Sequence, residues 1–249
     1  MPATLAATPT RLPRRAGRIS YRARGAGGEP GAEWGFEDFT LTRDRAGHRT
    51  LTTHCELAFG ADDVVRDSIL SVDAAYQPTD AYVRILNHGE WSGSGWFRFG
   101  ESEAEGESFT RAEGRVSQRR AITRPMRGFG IHALMGDGFL AASFPYDEGV
   151  GHEQFYGQNV LHSLHHFGAT GPGLATSTSG LRYVARETVT VPAGTFDCYR
   201  VDFLGMTNGH PPYAMWLSAD GDFLYVRGMV EGYMNAVFEL EELSGECLT

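Results

Sequence analysis

The chain contains no lysine, and all 22 of its basic residues are arginine. Without an ε-amine no side-chain Schiff base can form, which excludes lysine-dependent aldolase and decarboxylase chemistry. Cysteine is scarce. Cys55, Cys198 and Cys247 are widely spaced and odd in number. They supply neither a Cys-x-x-Cys pair nor a disulfide framework, which suits a reducing compartment. No apolar run approaches the length of a membrane span. The start, "MPATLAATPTRLPRR", has only a weak apolar run ahead of its arginines, whereas a secretion signal places charge first. These absences predict a cytoplasmic protein with a disordered tail over 1–15 and one domain over 16–249. Positive charge is also in deficit. The net charge of −9 disfavours nucleic acid as a partner, because phosphate binding needs clustered cations.

Several catalytic templates are missing as well. There is no Gly-x-Ser-x-Gly elbow and no phosphate loop ending in Gly-Lys. "GSGWFRFG" (93–100) has glycines without the spacing or the following helix of a dinucleotide site. No cofactor and no metal are therefore expected.

What is present is mostly strand. "RISYRAR" (18–24), "WGFEDFTLTR" (34–43), "HRTLTTHCELAF" (48–59), "VVRDSILSVDAAY" (64–76) and "TDAYVRILNHGEW" (79–91) follow one another across short turns. "GSGWFRFG", "ESFTRAEGR" (107–115) and "RVSQRRAI" (115–122) continue the series. Close spacing leaves no room for parallel crossovers, so neighbours are antiparallel. The region after residue 181 repeats this character, giving about 13 strands in all. The stretch 124–180 breaks the pattern. It is glycine-rich and holds His132, His152, His162, His165 and His166, five of the nine histidines. The expectation is a mainly β fold, an antiparallel barrel or half-barrel, with a partly helical insertion at 124–180 over one opening. Such insertions tend to carry function.

"RETVTVPAGTFDCYRVDF" followed by "MWLSADGDFLYVRGMV" resembles a bacterial β-barrel domain family of unknown function, marked by its VPAGTF turn. The resemblance lies mainly over 182–243. It implies a lipocalin-like or lipoprotein-carrier-like barrel with an apolar interior, and it supplies no catalytic residues.

Candidate chemistry lies in three places. A helix over 153–167 would put Tyr156, Val160, Leu164 and Phe167 on one face at 100° per residue. His162 and His166 would lie opposite, with His165 at the margin. That pair faces solvent, lines a pocket, or chelates a metal with a third ligand such as His132 or His152. No glutamate base intervenes as in the zinc helix motif. In "FGIHALMGDGF" (129–139), Asp137 can orient His132 as a general base. In "TDAYVRILNHGEW", alternation sets Tyr82, Arg84, Leu86 and His88 against Ala81, Val83 and Ile85. The polar side is either an outer face or a cavity strip, in which Arg84 would hold an anion and Tyr82 or His88 would move protons. Trp96 is a candidate to line a pocket for a ring-shaped ligand. The run Arg111, Arg115, Arg119, Arg120, Arg124 and Arg127, preceded by acidic Glu101 to Glu107, reads as solvated strands of opposite charge or as an anion-binding surface.

The leading expectation is a cofactor-independent lyase or isomerase. It would work by acid/base catalysis on a hydrophobic small molecule, aromatic, terpenoid or steroid-like, held in the barrel. The alternatives are a non-catalytic binder of a hydrophobic ligand and a metal-dependent enzyme using the histidine-rich insertion. A homo-oligomer remains open.

Overall fold

A computed structural model describes residues 11–206, 209–232 and 234–248. Fifteen strands form one sheet. The first eight are β1 (Arg14–Arg24), β2 (Pro30–Arg43), β3 (Arg49–Phe59), β4 (Asp62–Val72), β5 (Pro78–Asn87), β6 (Glu90–Phe99), β7 (Glu103–Thr110) and β8 (Gly114–Ala121). Then come β9 (Phe129–Gly130), helix α1 (Leu134–Ala142), β10 (Glu153–Leu161), β11 (Ala175–Val191), β12 (Gly194–Leu204), β13 (Tyr213–Ser218), β14 (Tyr225–Val230) and β15 (Ala236–Ser244). Each half of the chain is a meander, and the two join where β1 pairs with β15. All neighbours are antiparallel except β9 and β10, which are parallel.

The sheet curls without closing. Its edges are β8 and β9, and no ladder joins them. Of the barrel and half-barrel expected, the closed form is corrected: the sheet is open and barrel-like. Side chains bridge the seam instead. Gln158 donates to the Ala121 carbonyl at 3.1 Å, the Leu174 amide donates to Gln118 at 2.7 Å, and Arg120 donates to the Leu174 carbonyl at 3.1 Å.

Strand alternation defines the inside. On β3, Leu51, Thr53, Cys55 and Leu57 point inward and are buried. On β5 the inward set is Ala81, Val83 and Ile85, none of it exposed. The interior is filled partly by the region expected to lie over an opening. Phe129, Ile131, Met135 and Phe139 are all buried to within 1%, so this segment runs through the core. Helix α1, "LMGDGFLAA", is apolar nearly all round, as an enclosed helix must be. Gly138 is required there, because a Cβ would stand 2.1 Å from the Phe223 carbonyl.

Two expectations fail on tertiary grounds. Residues 153–161 are strand, not helix. Ladder pairing with β11 decides the matter in a segment whose central Gly157 weakens a helix. Strand β1 also begins within the expected tail. Arg15 is buried and donates to Asp220 and Asp222, each at 2.7 Å. The rest of that tail, residues 1–10, lies outside the described residues. Among the described residues no helix is long and apolar enough to cross a membrane.

Inward parity also places two charges inside. Glu37 on β2 is fully buried and accepts from the Leu134 and Met135 amides at 2.7 and 2.9 Å. It thereby caps α1, whose N-cap residue Ala133 has no side-chain oxygen to do so. Arg66 on β4 is 1% exposed. It donates to the Phe167 carbonyl at 2.5 Å and to the His132 carbonyl. Arg66→Met strands these carbonyls and the buried Glu37 charge. A loss of about 3 kcal/mol is expected by urea unfolding. Amide exchange should quicken around 130–135 and 165–168 while the β3–β4 ladder stays protected. An unchanged unfolding midpoint would show the clamp to be dispensable.

Candidate functional site

A cavity of about 150 Å³ lies inside the curl. Trp34, Leu57, Leu134, Leu161, Phe167 and Phe238 give it a mainly apolar wall. Its polar members are Tyr21, Arg66, Arg127, His132, Asp137, Asn159, His166, Ser177, Ser179, His210 and Tyr213. The site is non-local. β1 to β4 and β9 to β15 contribute, together with α1 and the segments flanking β9.

His132 sits between β9 and α1 in left-handed backbone, φ +57°. Arg66 stabilises that conformation through the carbonyl bond. The imidazole meets His162 edge-on at 4.7 Å between centroids. His132 Nδ1 has no hydrogen-bond partner, and neither ring nitrogen of His162 has a well-formed one. Burial pushes both rings well below the usual imidazole range, and Arg66 adds to the effect, so both are neutral. His210 is lowered by the same cause and meets His166 edge-on at 5.1 Å between centroids.

Asp137 does not orient His132. Its carboxylate accepts from the Tyr213 hydroxyl at 3.0 Å, and Tyr213 lies 2.8 Å from the Tyr225 hydroxyl. Burial raises Asp137 to about 7, against the lowering effects of Tyr213 and the two arginines. The group most nearly poised to exchange a proton at neutral pH is therefore the carboxyl.

Other sequence candidates lie elsewhere. Tyr82 and Arg84 point outward, because Ala81, Val83 and Ile85 take the inward positions. Arg84 pairs with Asp67 at 3.4 Å on the surface. His88 is exposed in the β5–β6 turn with φ +51°, followed by Gly89 at +73°, the geometry of a tight hairpin. Trp96 is on the outer face, 38% exposed, beneath the Arg98 guanidinium. None of these four reaches the cavity. His162 is not on an open helix face but buried behind His132, and His166 lines the wall. These histidines do not converge on a metal position. Among the described residues, the one group with three ligand atoms within 4.8 Å is Asp220, Asp222 and Cys247, and Arg15 already engages both aspartates.

Sequence reasoning missed Arg66, Glu37, Arg127, Ser179 and Tyr213. The signal for the first two was present. Arg66 shares its parity with Val64, Ser68 and Leu70, and Glu37 shares its own with Phe39 and Leu41, so each is a lone charge on an apolar side.

No family model and no curated protein matches the chain. Solved structures do. A β-barrel-like protein of the domain of unknown function DUF1849 from Brucella abortus is similar at TM-score 0.55 and 10% identity, over 95% of this chain and 98% of the other. A DUF1089 family protein from Pseudomonas aeruginosa aligns at TM-score 0.45 and 10% identity, over 84% and 95% of the two chains. A protein with a YmcC-like fold from Bacteroides fragilis aligns at TM-score 0.31 and 10% identity, over 95% and 97%. The fold is thus that of a β-barrel-like bacterial protein of unknown function. The likeness spans nearly the whole chain, not residues 182–243 alone.

Asp137 makes stability depend on pH with a definite sign. Its folded-state value of about 7 exceeds its ordinary 3.8. Between these values the folded state holds more protons than the unfolded chain, so this residue's contribution becomes less favourable as pH rises. Asp137→Asn removes that slope. Urea unfolding at pH 4 and pH 8 should show the variant improving relative to the parent at the higher pH, by up to about 4 kcal/mol. An equal difference at both pH values would contradict the raised carboxyl.

Proposed function

We propose that the protein is a cofactor-independent acid/base enzyme, a lyase or isomerase, acting on a small and mainly apolar molecule held in the interior cavity. Its architecture is then used as lipocalin-like barrels are, with the ligand inside the curl. The observation that carries the reading is the Asp137 carboxyl, bonded to a tyrosine hydroxyl on a mainly apolar cavity wall where burial raises it to about 7. Asp137 in its ionised form removes a proton from substrate carbon. Tyr213 holds the carboxylate in place. His132, neutral and with an unpartnered Nδ1, donates to the oxyanion that develops when it carries its proton there. Asp137 then returns the proton at a second carbon, or, in elimination, the carbanion's electron pair forms a double bond as the bond to a β-oxygen leaving group breaks and Asp137 gives its proton to that oxygen. Cys55 and Cys198, both buried as thiols, suit a cytoplasmic setting for this reading.

The apolar majority of the wall favours a second reading, a binder that releases its ligand unchanged. Deuterium exchange separates the two. Wild-type protein is incubated in D₂O with a panel of small enones, phenols and hydrophobic alcohols, and mass and proton spectra are followed. The expected result is exchange or conversion of at least one compound. Asp137→Asn should slow it by about 10²–10⁴-fold while binding persists. His132→Gln should slow it as well, through loss of oxyanion stabilisation. Full turnover in Asp137→Asn defeats the assignment. Binding with neither exchange nor conversion in any compound establishes the binder.

A further inference from the structure

The arginine run 111–127 ends on a residue unlike the others. Arg111, Arg115 and Arg119 pair with surface glutamates. Arg127 is 4% exposed and lines the cavity. Its hydrogen bonds all go to neutral acceptors. Nε donates to the Leu140 carbonyl at 3.3 Å, and Nη1 donates to Asn159 Oδ1 at 3.4 Å and to Ser179 Oγ at 2.5 Å. Nη2 has no partner. Phe203 and Tyr156 lie over the guanidinium at 4.7 and 5.2 Å. The rings occupy its faces, and the Nη2 edge is what remains unengaged. Burial lowers the group only to about 10, so it is a cation at neutral pH.

Ser179 adds a second donor. Its oxygen accepts from Arg127 Nη1 and from Asn159 Nδ2, the latter at 3.1 Å. A hydroxyl has two acceptor positions and one proton. Both acceptor positions are used, so the proton is left to donate. Ser179 lines the same cavity. This corner therefore offers donors and one positive charge, and its own acceptors are already taken. The remaining wall does not supply the counter-charge at hydrogen-bond range. Asp137 is held by Tyr213 and acts on Arg127 through the field, while Arg127's own hydrogen bonds go to Leu140, Asn159 and Ser179. Arg66 is committed to backbone carbonyls, and His132 and His210 are held towards the neutral form. One available cation matches a singly charged oxyanion, not a phosphate dianion. A volume of about 150 Å³ holds a single ring.

We propose that Arg127 and Ser179 form the subsite for the carboxylate of a ring-sized monocarboxylic acid whose apolar body fills the rest of the cavity. The proposal rests on reading the cavity as a ligand site and names the substrate class that site takes.

The test uses ¹⁵N-labelled full-length protein with two carboxylates, benzoate and cyclohexanecarboxylate, and their neutral counterparts, benzyl alcohol and cyclohexylmethanol. A charge-assisted pair of bonds should make at least one carboxylate bind about 10–100-fold more tightly than its alcohol. It should also shift the Arg127 Nε–H resonance. Arg127→Gln should erase the preference while leaving alcohol binding intact, and Ser179→Ala should reduce it in part. If Arg127→Gln does not fold, the Arg127 resonance in the wild type decides. Alcohols that bind as well as the acids, or acids that bind without moving that resonance, overturn the carboxylate subsite and leave the cavity reading standing. No binding by any of the four overturns both.

Discussion

Two opposite charges buried on the inner face of the sheet hold the rest of this structure in place. Glu37 and Arg66 project inward from strands that flank β3, and among the described residues the sheet offers them one hydrogen bond, from the Tyr21 hydroxyl of β1 to Glu37 at 3.0 Å. Burying either alone would cost several kcal/mol. Each is offset by backbone groups of the segment that runs through the core. The carboxylate takes the free amides at the start of α1, where the helix dipole also favours negative charge. The guanidinium takes two carbonyls, one on each side of the β10 passage. A non-strand segment inside a sheet has backbone groups that no ladder can satisfy. Here two side chains do it, and the cavity wall inherits their geometry, including the left-handed backbone of His132.

The open seam follows from the same arrangement. A sheet closed by hydrogen bonds would exclude the connection between β8 and β10 from the interior. Leaving β8 and β9 unpaired lets residues 122–128 turn inward. Gly93 and Gly95 on β6 then admit the loop at Gly171 and Pro172, which would collide with any Cβ at those positions. Side-chain bridges close the gap with fewer bonds than a ladder would. The exposed β8 edge is guarded by outward arginines paired to β7 glutamates, a usual defence of free edges. The cavity lies beside this seam, bounded by Gly130, Asn159 and Ser179.

The period-2 alternation of β2 to β7 made their existence and inner faces legible, down to Ala81, Val83 and Ile85. The short turns made antiparallel order legible as well. The β10 strand was not, because "EQFYGQNVL" alternates poorly and its state is set by β11, a partner distant in sequence. Site residues divide the same way. Polar side chains were sought where they were dense, on the outward side of β5, and that density is what solvent permits. The interior instead holds single charges among apolar neighbours, such as Arg66 between Val64 and Ser68. Arg127 was hidden by its company, since Arg111, Arg115 and Arg119 before it are surface residues paired with glutamates. Nothing local links Asp137 to Tyr213, 76 residues away.

Burial sorts the charges of the wall by chemistry. It drives carboxyls up and imidazoles down, so Asp137 is drawn towards its neutral form and His132, His162 and His210 are held in theirs. A guanidinium starts so high that the same penalty leaves it charged. The cavity therefore keeps one available permanent charge, that of Arg127, because Arg66 is spent on carbonyls. Tyr21, Tyr213, Asn159, Ser179 and the neutral His132 act as uncharged donors and acceptors on the same wall. A wall of this kind favours a mainly apolar molecule with one anionic end and penalises cations and dianions. The carboxyl that can change its charge, Asp137, stands on the same wall as the charge that cannot. On the proposed function, ionising Asp137 would add a negative charge beside the bound carboxylate, which would couple binding to proton removal through the field inside the curl.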